Sequence, residues 1–97
     1  MPAYVLVQIS VHDPVMYETY KNLAAASVEA HGGRYLVRGG ATETLEGSWS
    51  PSRLVILQFP SAQAARAWWS SAGYAEARRI RHASAEAELL LVEGLDT

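Results

Sequence analysis

The chain switches between two periodicities. From Tyr4 to Val11 the side chains alternate: Val5, Val7 and Ile9 make one fully apolar face, and Tyr4, Leu6, Gln8 and Ser10 make a mixed one. Period two in a β-branched run is the mark of a strand. The period then changes. Asp13-Pro14 predicts a helix start, with Asp13 as N-cap and Pro14 in the first turn. Met16, Tyr20, Leu23, Ala24, Ser27, Val28 and His31 follow helical spacing along one stripe, and Gly32-Gly33 ends it. Arg34 to Arg38 is a second, short strand, which places Arg34 and Arg38 on one face.

After Gly39-Gly40, the segment from Ala41 to Ser50 predicts an extended hairpin arm turning at Glu46-Gly47. Arg53 to Phe59 is a third strand, stopped by Pro60, and Ser61 caps a second helix whose apolar stripe is Ala65, Trp68, Trp69 and Ala72. Gly73 is expected to interrupt it, with a further helical turn or two from Tyr74 to His82. Ala87 to Val92 is the last strand.

The order β-α-β-β-α-β over a single domain, residues 1–97, predicts an α+β, ferredoxin-like fold: an antiparallel sheet with the helices on one face. The remaining face carries Leu6, Leu54, Ile56, Leu90 and Val92. A half-solvated sheet alternates more cleanly than that. A second copy packed sheet to sheet is the simplest cover, so a homodimer is expected.

Composition narrows the chemistry. The net charge of −2 argues against a nucleic-acid partner. There is no cysteine, which excludes disulfides, thiol nucleophiles and thiolate metal sites. His12, His31 and His82 are far apart, with no ligand spacing among them, so neither a metal nor another cofactor is expected. Met1-Pro2-Ala3 leads straight into a strand without a basic segment, and no apolar run has membrane length; a cytoplasmic protein without a membrane partner is expected.

Several pieces together resemble the DUF1330 family: His31-Gly32-Gly33-Arg34-Tyr35-Leu36-Val37-Arg38-Gly39-Gly40, Leu45-Glu46-Gly47-x-Trp49-x-Pro51-x-Arg53-Leu54-Val55, Phe59-Pro60-Ser61, Trp68, the Tyr74 region and Val92-Glu93-Gly94. The likeness runs in order over essentially the whole chain. It departs at Trp69 to Tyr74, where the family usually has a serine-proline-type turn before the tyrosine and this chain has Gly73. The resemblance implies a subunit of the dimeric α+β barrel type. Its relatives by fold include cofactor-free monooxygenases, muconolactone isomerases and haem-dependent enzymes, and fold does not fix function.

The candidate chemistry is small. His31 ends the first helix and is the candidate acid or base; equally, a histidine there is favourable against the helix dipole. Arg38, and Arg53 at the start of the neighbouring strand, are placed to clamp a carboxylate, or else to pair with protein acids. Trp49 covers a pocket or inserts into a partner, Trp68 is core or pocket wall, and Tyr74 offers a hydroxyl to a cleft. The expected ligand is a small anionic or aromatic metabolite lined by His31, Arg38, Trp49, Arg53, Trp68 and Tyr74. The competing reading is a structural dimer in which these residues are interface and core.

Overall fold

The strands and helices predicted above assemble as one sheet under one layer of helices. The structure is a computed structural model, and it describes residues 1–95. Its elements are β1 (Ala3–Val11), α1 (Pro14–Ala30), β2 (Arg34–Arg38), β3 (Arg53–Phe59), α2 (Ala62–Ser70), α3 (Ala72–Ser84) and β4 (Ala85–Glu93). The strands lie in the order β2-β3-β1-β4, all antiparallel, which is the ferredoxin-like arrangement. No helix among the described residues is long and apolar enough to cross a membrane.

The apolar face of β1 decides the sidedness. Val5, Val7 and Ile9 are buried, and they pair with Leu57, Val55 and Arg53 on β3 and with Leu91, Leu89 and Ala87 on β4. Directly opposed residues share a face, so these rows form the floor under the helices. Phe59, Trp68, Tyr74, Tyr17, Tyr20, Ala24 and Val28 complete the core above it.

The helix starts follow the capping pattern. Asp13 Oδ1 accepts from the Met16 N–H at 3.0 Å and Ser61 Oγ from the Ala64 N–H at 3.1 Å; each such cap contributes about 1 kcal/mol. The buried face of α1 is Tyr17, Tyr20, Ala24, Ser27 and Val28. The stripe is therefore rotated from the expected one: Met16 and Leu23 are more than a third exposed, and Tyr17 takes the inward position.

Two boundaries differ from expectation. The break between α2 and α3 falls at Ser71, not Gly73. Ser71 Oγ closes α2 by donating to the Trp68 carbonyl at 2.7 Å and opens α3 by accepting from the Tyr74 N–H at 3.1 Å. One hydroxyl serves both ends, and Gly73 lies inside the first turn of α3. The segment between β2 and β3 forms no hairpin strands. It is an irregular arm bent at residues 45–48 and tied by Thr44 Oγ1 donating to the Trp49 carbonyl at 2.6 Å.

The third difference lies within β2. Tyr35 pairs with Leu57 but Val37 pairs with Ile56, so Leu36 is an extra residue, a β-bulge. The bulge reverses the alternation. Arg34 opposes Gln58 on the outer face, where its Nε donates to Gln58 Oε1 at 2.9 Å. Arg38 opposes Val55 and lies on the helix side. The two arginines expected on one face stand on opposite faces.

Candidate functional site

Arg38 and Arg53 reach the helix side of the sheet from adjacent strands, and they meet there under α1. Arg53 opposes Ile9 across the β1–β3 pair, and its guanidinium lies 5.7 Å from the centre of the Tyr17 ring. Arg38 stacks 4.6 Å over the Tyr35 ring and donates to the Lys21 carbonyl at 3.4 Å, a long and weak bond. Both line a cleft whose other walls include Tyr17, Tyr20, Tyr35, Leu57 and Trp68. Among the described residues neither arginine pairs with a carboxylate, and the buried Nε of Arg53 has no acceptor.

The backbone permits this approach at one point. Gly39 adopts φ +76°, and a Cβ there would run into the Arg53 guanidinium. Any side chain at residue 39 would be strained and would displace the arginine.

The cleft is nearly closed, with about 20 Å³ of free volume, room for one water. Its phenols are held neutral. Burial raises the Tyr17 pKa above its usual value of 10.0 against the opposing pull of Arg53, and burial raises Tyr35 likewise against Arg38. Tyr20 is pushed up further, by burial first and then by the neighbouring Tyr74. The lining of the cleft therefore offers two arginines without a carboxylate partner, a third cation in Lys21 that is paired with Glu18 at 3.0 Å, and neutral hydroxyls, and no base.

Trp68 is the partition of the site. Its Nε1–H donates to Ser27 Oγ at 3.1 Å, and Ser27 in turn donates to the Ala24 carbonyl at 2.8 Å, which fixes the indole against α1. One side faces the arginine cleft. The other borders a second, larger chamber of about 340 Å³ between α2 and β4, lined by Val5, Ala65, Arg66, Trp69, Ser70, Leu89 and Leu91.

Arg38, Arg53 and Trp68 therefore share one cleft. Tyr74 stands behind it, fully buried, with its ring 4.3 Å from that of Trp68 and its hydroxyl 3.1 Å from that of Tyr20. His31 and Trp49 do not line the cleft. His31 lies fourteen residues beyond Tyr17 on the same helix, about 21 Å along its axis, and its Nδ1 donates to the Ser27 carbonyl at 2.9 Å. Trp49 is on the opposite face of the sheet, where its Nε1 donates to Gln8 Oε1 at 2.6 Å. The residues not singled out beforehand are Tyr17, Tyr20 and Tyr35. The available signal was the spacing Tyr17, Tyr20, Ala24, Ser27, which adds Tyr17 to three residues of the expected stripe at helical intervals. Among the described residues no cluster of histidine, cysteine or carboxylate side chains fits a metal.

No curated protein matches the chain. Solved structures do. The RPA0582 protein of unknown function from Rhodopseudomonas palustris is 19% identical, with a TM-score of 0.79 over 99% of this chain and 84% of that one. SnoaB, a cofactor-independent oxygenase from Streptomyces nogalater, is 16% identical, with a TM-score of 0.66 over 99% and 95%. HapK from Hahella chejuensis is 16% identical, with a TM-score of 0.64 over 98% and 94%. At these identities the likeness is one of fold: the α+β barrel type. The domain-of-unknown-function family DUF1330 matches residues 2–95, and the chain belongs to it.

Proposed function

We propose that this protein is a homodimeric small-molecule-binding domain that holds an anionic or aromatic metabolite at Arg38 and Arg53. The observation that carries the reading is the pair of guanidinium groups on one cleft with no carboxylate partner among the described residues. Two such cations side by side favour a bidentate anion. The tyrosine and tryptophan walls suit a planar body. Arg38 is exposed and weakly held, so it is the side chain that moves to admit a ligand.

If the site is catalytic, its chemistry is set by what the cleft contains. Two cations lower the pKa of a bound acidic phenol or enol and hold its anion. An electron-rich anion of that kind is what cofactor-free oxygenation starts from, and SnoaB is described as a cofactor-independent oxygenase. The acid/base role expected of His31 would require the ligand to reach the far end of α1. The tyrosine hydroxyls are nearer, and their raised pKa makes them hydrogen-bond donors at neutral pH.

The dimer rests on the outer face of the sheet. Leu36, Leu90 and Val92 are exposed there beside the half-buried Leu6, Leu54 and Ile56, an apolar patch that a soluble chain covers.

A second reading follows from the cleft's small volume: the arginines brace the aromatic core of a non-catalytic dimer. A titration with benzoate, followed by NMR at the Arg53 and Trp68 side-chain N–H groups, separates the two. Saturable shifts that weaken about tenfold or more in Arg38→Ala, with the dimer intact by sedimentation, support the site. Unchanged binding, or a dimer that falls apart in Arg38→Ala, removes the clamp role.

A further inference from the structure

Arg81 is 3% exposed, pairs with no carboxylate among the described residues, and its Nε has no acceptor. It lies in the last turn of α3, and among the described residues its side chain makes one hydrogen bond, from Nη2 to His82 Nε2 at 3.3 Å. A buried cation without a counter-charge is a standing cost to the fold. It is retained where something else supplies the charge.

Arg81 lines an open groove with Trp69, His82, Ala87 and Leu89. Trp69 and Leu89 also line the 340 Å³ chamber under α2. The two spaces therefore adjoin along the edge strand β4, and together they outline a trough that is apolar toward Leu91 and cationic at Arg81. Its wall is rigid: Arg78 stacks 4.4 Å over the Trp69 ring and donates to the Trp69 carbonyl at 2.7 Å. From Ala85 to Leu91 the strand rises about 20 Å.

We propose that this trough binds an elongated apolar acid, a medium-chain fatty acid or a molecule of like shape, with its carboxylate at Arg81 and its body in the chamber. The length and the polarity gradient fit a carboxylate on a chain of about a dozen carbons. Arg66 at the chamber's mouth adds positive charge, and Glu86 at the groove is the one opposing carboxylate among its lining residues. A second copy is a poorer occupant, because a twofold contact along β4 would bring Arg66, Arg78 and Arg81 against themselves. The site is separate from the arginine cleft, with Trp68 between them.

Calorimetric titration with dodecanoate below its micellar concentration tests this, with dodecanol as the uncharged control. Saturable one-to-one binding is expected, with shifts at the Leu89 and Leu91 amides and none at Arg53. Dodecanol should bind about tenfold more weakly or worse, and Arg81→Leu should lose the same factor. Should Arg81→Leu fail to fold, Leu89→Trp blocks the passage while leaving Arg81 in place, and it should abolish binding. Equal affinity for dodecanoate and dodecanol, no saturable heat, or dodecanoate binding that vanishes as the protein self-associates at rising concentration would each overturn the assignment.

Discussion

The hydroxyls of Tyr20 and Tyr74 lie 3.1 Å apart, each the other's hydrogen-bond partner, joining α1 to α3 across the buried layer. Removing one hydroxyl strands the other without water. Tyr20→Phe and Tyr74→Phe should each destabilise the fold by about 1–2 kcal/mol, and the double variant by less than their sum. Urea unfolding of the four proteins checks this; strict additivity would mean the bond contributes nothing.

Alkaline pH should unfold the protein by way of the same layer. Tyr17, Tyr20 and Tyr35 have folded pKa values raised above 10.0, so their contribution to stability is complete below pH 10. Above it the unfolded chain loses protons that the folded chain keeps, and stability falls until the folded pKa values are passed. Ultraviolet titration should show these three phenols ionising only together with loss of the near-ultraviolet dichroism. Smooth titration of all the tyrosines near pH 10 with the fold intact would contradict it.

Two glycines fail for different reasons when replaced by alanine. At Gly33 a Cβ would come within 2.6 Å of Phe59 and 2.8 Å of Val28, both buried, so Gly33→Ala should cost about 1–3 kcal/mol through overpacking. At Gly39 the strain is in the backbone and against Arg53. Gly39→Ala should cost about 1–2 kcal/mol and also shift the Arg53 side-chain resonances. Thermal melts give the first quantity, and NMR of the arginine Nε–H groups separates the second variant from the first.

The proposed dimer makes its own demand. Leu90 is 64% exposed on the outer face, so a monomer loses nothing when it becomes charged. Leu90→Glu should leave the circular dichroism unchanged and convert the dimer to a monomer by sedimentation, since an unpaired carboxylate from each copy would be buried in the apolar contact. A Leu90→Glu protein that still dimerises would place the interface elsewhere.

Much of this was legible in the order of residues. The strand of Val5, Val7 and Ile9, the caps at Asp13 and Ser61, and the stop at Pro60 are local signals, and the strand order follows from connection rules. What was hidden is non-local. The inward position of Tyr17 depends on a small rotation of α1 that turns Met16 and Leu23 outward, which the sheet beneath it decides. The fate of Trp49 depends on Gln8 accepting its N–H on the far face, 41 residues away. His31 is a local case: its Nδ1 donates to the Ser27 carbonyl one turn back on its own helix, a bond that residue type alone does not announce.

The extra residue at Leu36 couples two surfaces that a regular strand would leave independent. It works as a change of phase: hydrogen bonding to β3 resumes, but every side chain after it has exchanged sides. Were Leu36 instead to pair regularly with Ile56, Val37 would turn into the cleft opposite Val55 and Arg38 would be carried out to the face where a partner is expected. A one-residue slip of the pairing would thus remove half of the proposed anion clamp and plant a cation in the proposed apolar contact. The register of this short strand is accordingly under tighter constraint than any single side chain on it.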